Sequence, residues 1–366
     1  MKELNNNKLL YVSTHDAEKD PGVEKKIRGF CAVAEKKGLV VERVTHNCKT
    51  ISSRIKMMRT IVDTNAKTII FRSFGVLTIV VLNYLYLLKK REHVIICDQP
   101  SPLSSLLKEI WHSNASLIKK LYYTCWAILS GPWSMWAYNR IIQYAPESKF
   151  FSLGNKKKTL LLGNGIDINT VQPRLQQGNN NWEQIKLVGV ANLNIHHGFD
   201  RIIRSIAIYN SRNKAKAYFS IIGGNLHSPV IKNLKNLASS LNVAEYITFH
   251  GFKNHEFISR EYNSCDLAVG SLGLYRIGLD FSSTLKVREY CLTGIPFIVA
   301  GQDPDFPIDV PFRFVVPNDE SIEPIVDVLE IFPQKRCLFS DEQIREYAFK
   351  NLSLDAKFDK IINGLL

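Results

Sequence analysis

Apolar positions along this 366-residue chain keep two rhythms that take turns. Short runs rich in Val, Ile, Phe and Tyr alternate with longer stretches whose apolar residues recur every three or four positions. The first rhythm marks strands and the second marks amphipathic helices. Strands are predicted at 8–13, 40–45, 68–72, 94–97 and 141–144, then at 185–190, 217–222, 247–250, 267–269 and 297–299. Helices are predicted at 23–37, 51–64, 76–90 and 103–138, the last broken at Gly131-Pro132. The second series continues with helices at 199–210, 229–241, 256–263, 284–292 and 321–331, and a helical end at 341–365. Such alternation dictates right-handed βαβ units and parallel sheets. The polar run Gln176-Gln177-Gly178-Asn179-Asn180-Asn181 separates the two series, so two doubly wound α/β domains are expected.

Composition supports ordinary globular domains, with 45% hydrophobic and 22% charged residues. The cysteines number seven and include no Cys-x-x-Cys spacing, which argues against a zinc site or a disulfide framework and favours a reducing compartment. Met1 to Lys8 lacks the apolar region of a signal peptide, so a cytoplasmic location is expected.

Charge changes the picture. The net charge is +13, and residues 1–150 carry 23 Lys and Arg against 12 Asp and Glu, a net +11. A basic half suits nucleic acid, an anionic membrane surface or a polyanionic substrate. No nucleic-acid-binding motif is present. Between Leu107 and Tyr144, four of the five tryptophans mingle with Lys108, Lys119, Lys120 and Arg140, the make-up of an interfacial helix, although packing into the core would also use such rings. The apolar stretch 74–88 is too short to span a bilayer.

Candidate chemistry concentrates near residue 285. Ser282, Ser283 and Thr284 open a helix that runs through Leu285, Lys286 and Glu289, stops at Gly294 and turns at Pro296 into an apolar strand. Amides of a helix start hold anions, and residues three apart share one face, so Lys286 and Glu289 can meet one ligand. Gly223-Gly224 after a strand allows close backbone approach, and Phe252 just past another can stack on or bound a planar ring. Arg72 and Asp98 sit at strand ends. Asp303-Pro304-Asp305 reads as a turn rather than a metal ligand set.

Taken in order, these marks resemble the retaining GT-B glycosyltransferases of the family 4-like, group 1 kind. The resemblance rests on Gly163-Asn164-Gly165-Ile166-Asp167, Val188-Gly189 through His197-Gly198-Phe199-Asp200, Ile221-Ile222-Gly223-Gly224, Ile247 to Phe252, Cys265 to Val269 and the segment from Thr284 to Ala300. It implies two Rossmann-like domains facing across a cleft, with residues 1–165 binding the acceptor at a membrane surface. Residues 166–335 would bind the nucleotide-sugar, and 336–366 would cross back as a helix. Donor contacts are implied at Gly22, His197, Gly223, Gly224, Phe252, Arg276, Asp280, Ser283, Thr284, Leu285, Lys286 and Glu289. Glu289 would bind the ribose hydroxyls and Lys286 the diphosphate. Arg72 and Asp98 are the acceptor candidates, and Asp98, Lys286 and Glu289 the catalytic ones.

The resemblance further implies transfer from a UDP- or GDP-sugar to a saccharide, most plausibly lipid-linked, with retention, no metal and no cofactor, at the inner membrane face in surface polysaccharide assembly. Two departures stand out. The first acidic residue of the family's two-glutamate motif is replaced by Phe281, with Asp280 adjacent, and the usual Arg after the domain's first strand is absent, leaving His197 or Arg276 to supply charge. A catalytically degenerate GT-B protein acting as a membrane-associated partner, or a nucleotide-sugar epimerase, are the alternative readings.

Overall fold

A computed structural model describes residues 8–16, 21–46, 50–72, 79–175, 182–306 and 310–363. The expected linker at 176–181 lies outside them, as do the first residues of the stretch 74–88. The chain divides into two compact units, one formed by residues 1–165 with 354–366 and the other by 166–353.

Unit one contains β1 (Lys8–Ser13), α1 (Pro21–Lys36), β2 (Val40–Thr45), α2 (Ile51–Ile61), β3 (Thr68–Arg72), α3 (Leu82–Lys90) and β4 (Val94–Gln99). It continues with α4 (Leu103–His112), α5 (Leu117–Ser130), β5 (Arg140–Gln143) and β6 (Thr159–Leu161). Among the described residues its sheet is six-stranded and parallel, in the order β2-β1-β3-β4-β5-β6. Alternate strand residues feed two cores, one under α2 and α3 around Phe71 and Ile95, the other under α1 around Tyr11 and Ile96. The order places β1 and β3 side by side, with successive strands leaving in opposite directions, so the switch point lies at their carboxyl ends.

Unit two contains β7 (Gln184–Val190), α6 (Phe199–Arg212), β8 (Lys216–Ile222), α7 (Pro229–Ser240), β9 (Ile247–Gly251), α8 (His255–Ser264) and β10 (Leu267–Val269). Then come α9 (Leu285–Thr293), β11 (Phe297–Ala300), β12 (Arg313–Val316), α10 (Glu323–Arg336) and α11 (Asp341–Tyr347). Its sheet, again parallel among the described residues, runs β12-β11-β10-β7-β8-β9, with the switch point between β7 and β10. The final helix, α12 (Leu354–Ile362), belongs to unit one, where Phe358 packs on Phe30 of α1 with ring centroids 5.3 Å apart.

Three local features differ from the sequence expectation. The edge strands β6 and β12 were not anticipated; at three and four residues they are too short for a period to declare itself. The helical stretch 103–138 breaks first at 113–116, where the Ser116 hydroxyl accepts from the Lys119 amide and starts α5, and again at Gly131 (φ +48°). The helical end from Asp341 is interrupted by a π-turn at Ala348–Leu352 before α12 begins.

Candidate functional site

In unit two, the loops at the switch point are tied backbone to backbone. The Leu272 and Gly273 amides donate to the carbonyls of His197 and His196 at 3.0 and 3.1 Å. Gly223 follows β8 with φ +106°, and a Cβ there would lie 2.1 Å from the Ala191 carbonyl oxygen, so only glycine fits. Gly224 has φ +71°. Phe252, just past β9, is 68% exposed. Three strand spacings of ~4.8 Å separate β9 from β10, so Phe252 stands roughly 14 Å across the sheet edge from the loop that leads to α9.

That loop ends at the anion-suited helix start. Thr284 takes the N-cap position with an extended backbone, yet among the described residues its side chain makes no capping hydrogen bond, so it leaves the amide donors of the first turn untaken. Ser282, Ser283 and Thr284 are half-buried around it. Lys286 Nζ lies 3.0 Å from Glu289 Oε2, so the two share one partly exposed helix face. Asp280 is exposed; its carbonyl accepts from the Gln302 amide at 2.7 Å, and its carboxylate lies 3.4 Å from Asn318 Nδ2. Phe281 pairs with Gln302 in an isolated parallel bridge.

The opposite face of α9 carries the largest surprise. Arg288 is fully buried and holds Asp303 and Asp305, with Nη2 2.9 Å from Asp303 Oδ1 and 2.7 Å from Asp305 Oδ2. Burial alone would lower its pKa, but Asp303 and then Asp305 more than offset this and keep it cationic. Asp303-Pro304-Asp305 is therefore more than the expected turn: its carboxylates anchor α9 from behind.

The two residues proposed to replace the missing positive charge are otherwise engaged. Arg276 forms a fork with Asp200, 2.7 Å on each arm, and also donates to the Ile195 carbonyl. His197 accepts from the Asn194 amide at 3.0 Å through Nδ1. Burial, followed by His196, pushes its pKa down to about 4, so the ring is neutral near pH 7 and brings no cation.

In unit one, Arg72 at the end of β3 and Asp98 in β4 are buried together as an ion pair. Asp98 also accepts from the hydroxyls of Tyr11 at 2.8 Å and Tyr144 at 3.0 Å. Burial works to raise its pKa, but Arg72 and then Lys26 overcome it and hold the carboxyl at about 2. A carboxylate so satisfied is a poor proton acceptor at neutral pH, and the geometry makes it a positioning group for Arg72 and Tyr144. Lys26 reaches the same cluster, donating to the Asn164 side chain at 2.6 Å and to the Tyr144 hydroxyl. Nearby, Glu24 gathers Arg28 at 2.5 Å, Arg43 at 2.7 Å and His15 at 3.1 Å. Sequence reasoning missed Lys26, Tyr144, Glu24 and His15. Gly22 lies in the first turn of α1, and a Cβ there would meet nothing within 4 Å among the described residues.

Two doubly wound parallel units, each with polar groups at its carboxyl edge, constitute the fold of the GT-B glycosyltransferases. Residues 172–273 match the sequence model of the family "Glycosyl transferases group 1". Among solved structures, the chain is similar to the lipopolysaccharide outer core galactosyltransferase WaaB in its apo form, with 11% identity over 98% of this chain and 99% of that one, at a TM-score of 0.64. Sucrose-phosphate synthase from Thermosynechococcus elongatus matches with 11% identity, 98% and 99% coverage and a TM-score of 0.63. HepE of Anabaena, solved with UDP and glucose, gives 14% identity, 98% and 99% coverage and 0.60. No curated protein matches the chain in sequence. The family match spans β7 to β10 and stops short of α9, so the roles of Lys286 and Glu289 rest on geometry and on the sequence motif.

Proposed function

We propose that this protein is a glycosyltransferase that takes a sugar from a UDP- or GDP-sugar held by unit two and passes it to a saccharide acceptor bound by unit one. The observation that carries the reading is the start of α9: uncapped amides with Lys286 and Glu289 side by side on one face. The amides and Lys286 would take the diphosphate, whose charge grows as the sugar leaves, and Glu289 would accept hydrogen bonds from the ribose hydroxyls. Such a grip needs no metal. Gly223 and Phe252 lie at the edge where a base would extend. In unit one, Arg72, oriented by Asp98, would meet the acceptor. Retention, with the leaving phosphate taking the acceptor proton, follows from the motif resemblance.

A lipid-linked acceptor fits the surface of α4 and α5. Trp111, Leu117, Ile118, Leu121, Tyr122 and Leu129 are exposed there beside Lys119 and Lys120, although no helix among the described residues is long and apolar enough to cross a membrane. An amphipathic basic and aromatic face of this kind suits the interfacial region of an anionic bilayer. Polysaccharide assembly at the inner membrane face is the corresponding context.

The test is donor hydrolysis across a panel of nucleotide-sugars. One UDP- or GDP-sugar should release its nucleotide slowly without acceptor, and Glu289→Ala should abolish the release. Absence of both binding and hydrolysis for every donor would remove the enzymatic reading in favour of a degenerate scaffold protein.

A further inference from the structure

The solvent-facing stripe of α5 does not end with the helix. Leu117, Ile118, Leu121, Tyr122, Ile128 and Leu129 are exposed, and at about 100° per residue they fall on one side. Gly131 (φ +48°) then leads into a single 3₁₀ turn, Pro132–Met135, a geometry in which residues three apart lie one above the other. Trp133 and Trp136 are three apart and both exposed. A Cβ at Gly131 would lie 2.4 Å from the Trp133 ring, so glycine is what lets that indole lie back over the helix end. The connection after β5 packs against this turn. Phe150 meets Trp133 edge-on with ring centroids 6.4 Å apart, and the Leu153 carbonyl accepts from the Trp136 indole. Phe150 is 50% exposed and Leu153 61%. Asn155 Nδ2 and Lys158 Nζ donate to the carbonyls of Pro132 and Met135 at 2.9 and 2.8 Å, which pins the connection to the turn. Trp133, Trp136, Phe150 and Leu153 therefore form a fixed apolar projection that continues the stripe.

Two features identify the surface it fits. Both indole N–H groups are satisfied from within, Trp133 by the Leu129 carbonyl at 2.9 Å and Trp136 by the Leu153 carbonyl at 3.2 Å. Rings so satisfied enter hydrocarbon without leaving a donor unpaired there. The surrounding charge has one sign. Residues 110–158 hold seven Lys and Arg against a single acid, Glu147. Both Glu147 oxygens are turned onto backbone amides, those of Leu103, Ser104 and Ser148. Arg140 and Lys158 are engaged by backbone carbonyls, but Lys149, Lys156 and Lys157 are exposed and flank the projection in sequence. A second copy of the chain would set these cations against themselves. An anionic bilayer instead offers acyl chains to the rings and phosphates to the lysines.

We propose that this projection is a membrane wedge: Trp133, Trp136, Phe150 and Leu153 enter the acyl region of an anionic bilayer, while Lys149, Lys156 and Lys157 meet the headgroup phosphates. The wedge rests on the membrane part of the proposed function and is independent of sugar transfer. The experiment is flotation of the full chain with phosphatidylcholine vesicles, with and without phosphatidylglycerol, at low salt and at 1 M salt, where charge attraction is screened. Phe150→Glu with Leu153→Glu should keep the thermal midpoint of wild type and lower the flotation that survives 1 M salt about tenfold. A second readout uses lipids brominated on their acyl chains, which should quench the tryptophan emission of wild type. Trp133→Phe with Trp136→Phe keeps the apolar rings, so it should float like wild type and lose most of that quenching. Salt-resistant flotation equal to wild type in the folded Glu variant would overturn the wedge, as would full quenching in the Phe variant. Flotation lost only in Ile118→Glu with Leu121→Glu would also overturn it, leaving the membrane reading in place. A wild-type chain that floats with no vesicle removes both. Self-association that the Glu variant abolishes, without flotation, would give the face to a second copy and overturn the proposal.

Discussion

At the scale of single residues, Glu289, Lys286 and Asp98 divide the expected work. Charge-assisted hydrogen bonds contribute about 1.5–3 kcal/mol, so Glu289→Ala and Lys286→Ala should each weaken nucleotide binding roughly 10–100-fold. Asp98 behaves otherwise. Held at about 2 among Arg72, Tyr11 and Tyr144, it stays ionised throughout the neutral range. The pH profile of turnover between pH 5 and 8 should therefore show no inflection that vanishes in Asp98→Asn; an inflection lost in that variant would restore the proton-acceptor role. Glu24 makes a pH prediction of its own. Hydrogen bonds from Arg43 and then Arg28 lower its pKa from 4.5 to about 2. Its stabilisation is fully present above the unfolded value and disappears as pH falls from about 4.5 towards 2. Thermal unfolding followed across that window should fall less steeply in Glu24→Gln than in wild type; equal slopes would deny Glu24 its place as the hub.

At the scale of elements, α9 is a short helix fixed from behind. Asp303→Asn leaves Arg288 paired with Asp305 and removes only the charged character of the bonds that Asp303 accepts, at a cost of about 1.5–3 kcal/mol. Asp303→Asn should lower stability by that order in denaturant unfolding and also weaken nucleotide binding, because the helix start shifts with its anchor. Full nucleotide affinity in a folded Asp303→Asn protein would separate anchor from site. This element also shows what sequence could reveal. Small hydroxyls, a mid-helix Lys and Glu, then Gly and Pro, spell out α9 and its ligand-facing side. Its buried side was hidden because Asp303-Pro304-Asp305 is locally a turn, and only the packing of that turn against Arg288 turns its carboxylates inward. Similarly, Arg276 and His197 look available in the sequence, but Asp200 and the 194–197 turn engage them through contacts distant or local that no periodicity encodes.

At the scale of the whole molecule, the alternating rhythms foretold two parallel sheets, and strand order follows from βαβ handedness once the switch points are found. The polar network of unit one was the least legible part, since Lys26, Tyr144 and Asp98 come from three separate segments. The basic excess there leads to a further expectation. Vesicles with anionic lipid should float the protein at low salt and lose much of it at 1 M salt, where the screening length shrinks to about 3 Å. Ile118→Glu with Leu121→Glu should reduce flotation at either salt level; wild-type flotation in that double variant would move the membrane surface elsewhere. The central claim, a nucleotide-diphosphate grip at the start of α9, is tested most directly by calorimetric titration of UDP and GDP. One of the two nucleotides should bind the wild-type chain and bind Lys286→Ala and Glu289→Ala at least tenfold more weakly. Binding of neither nucleotide, or undiminished binding by both variants, would contradict it.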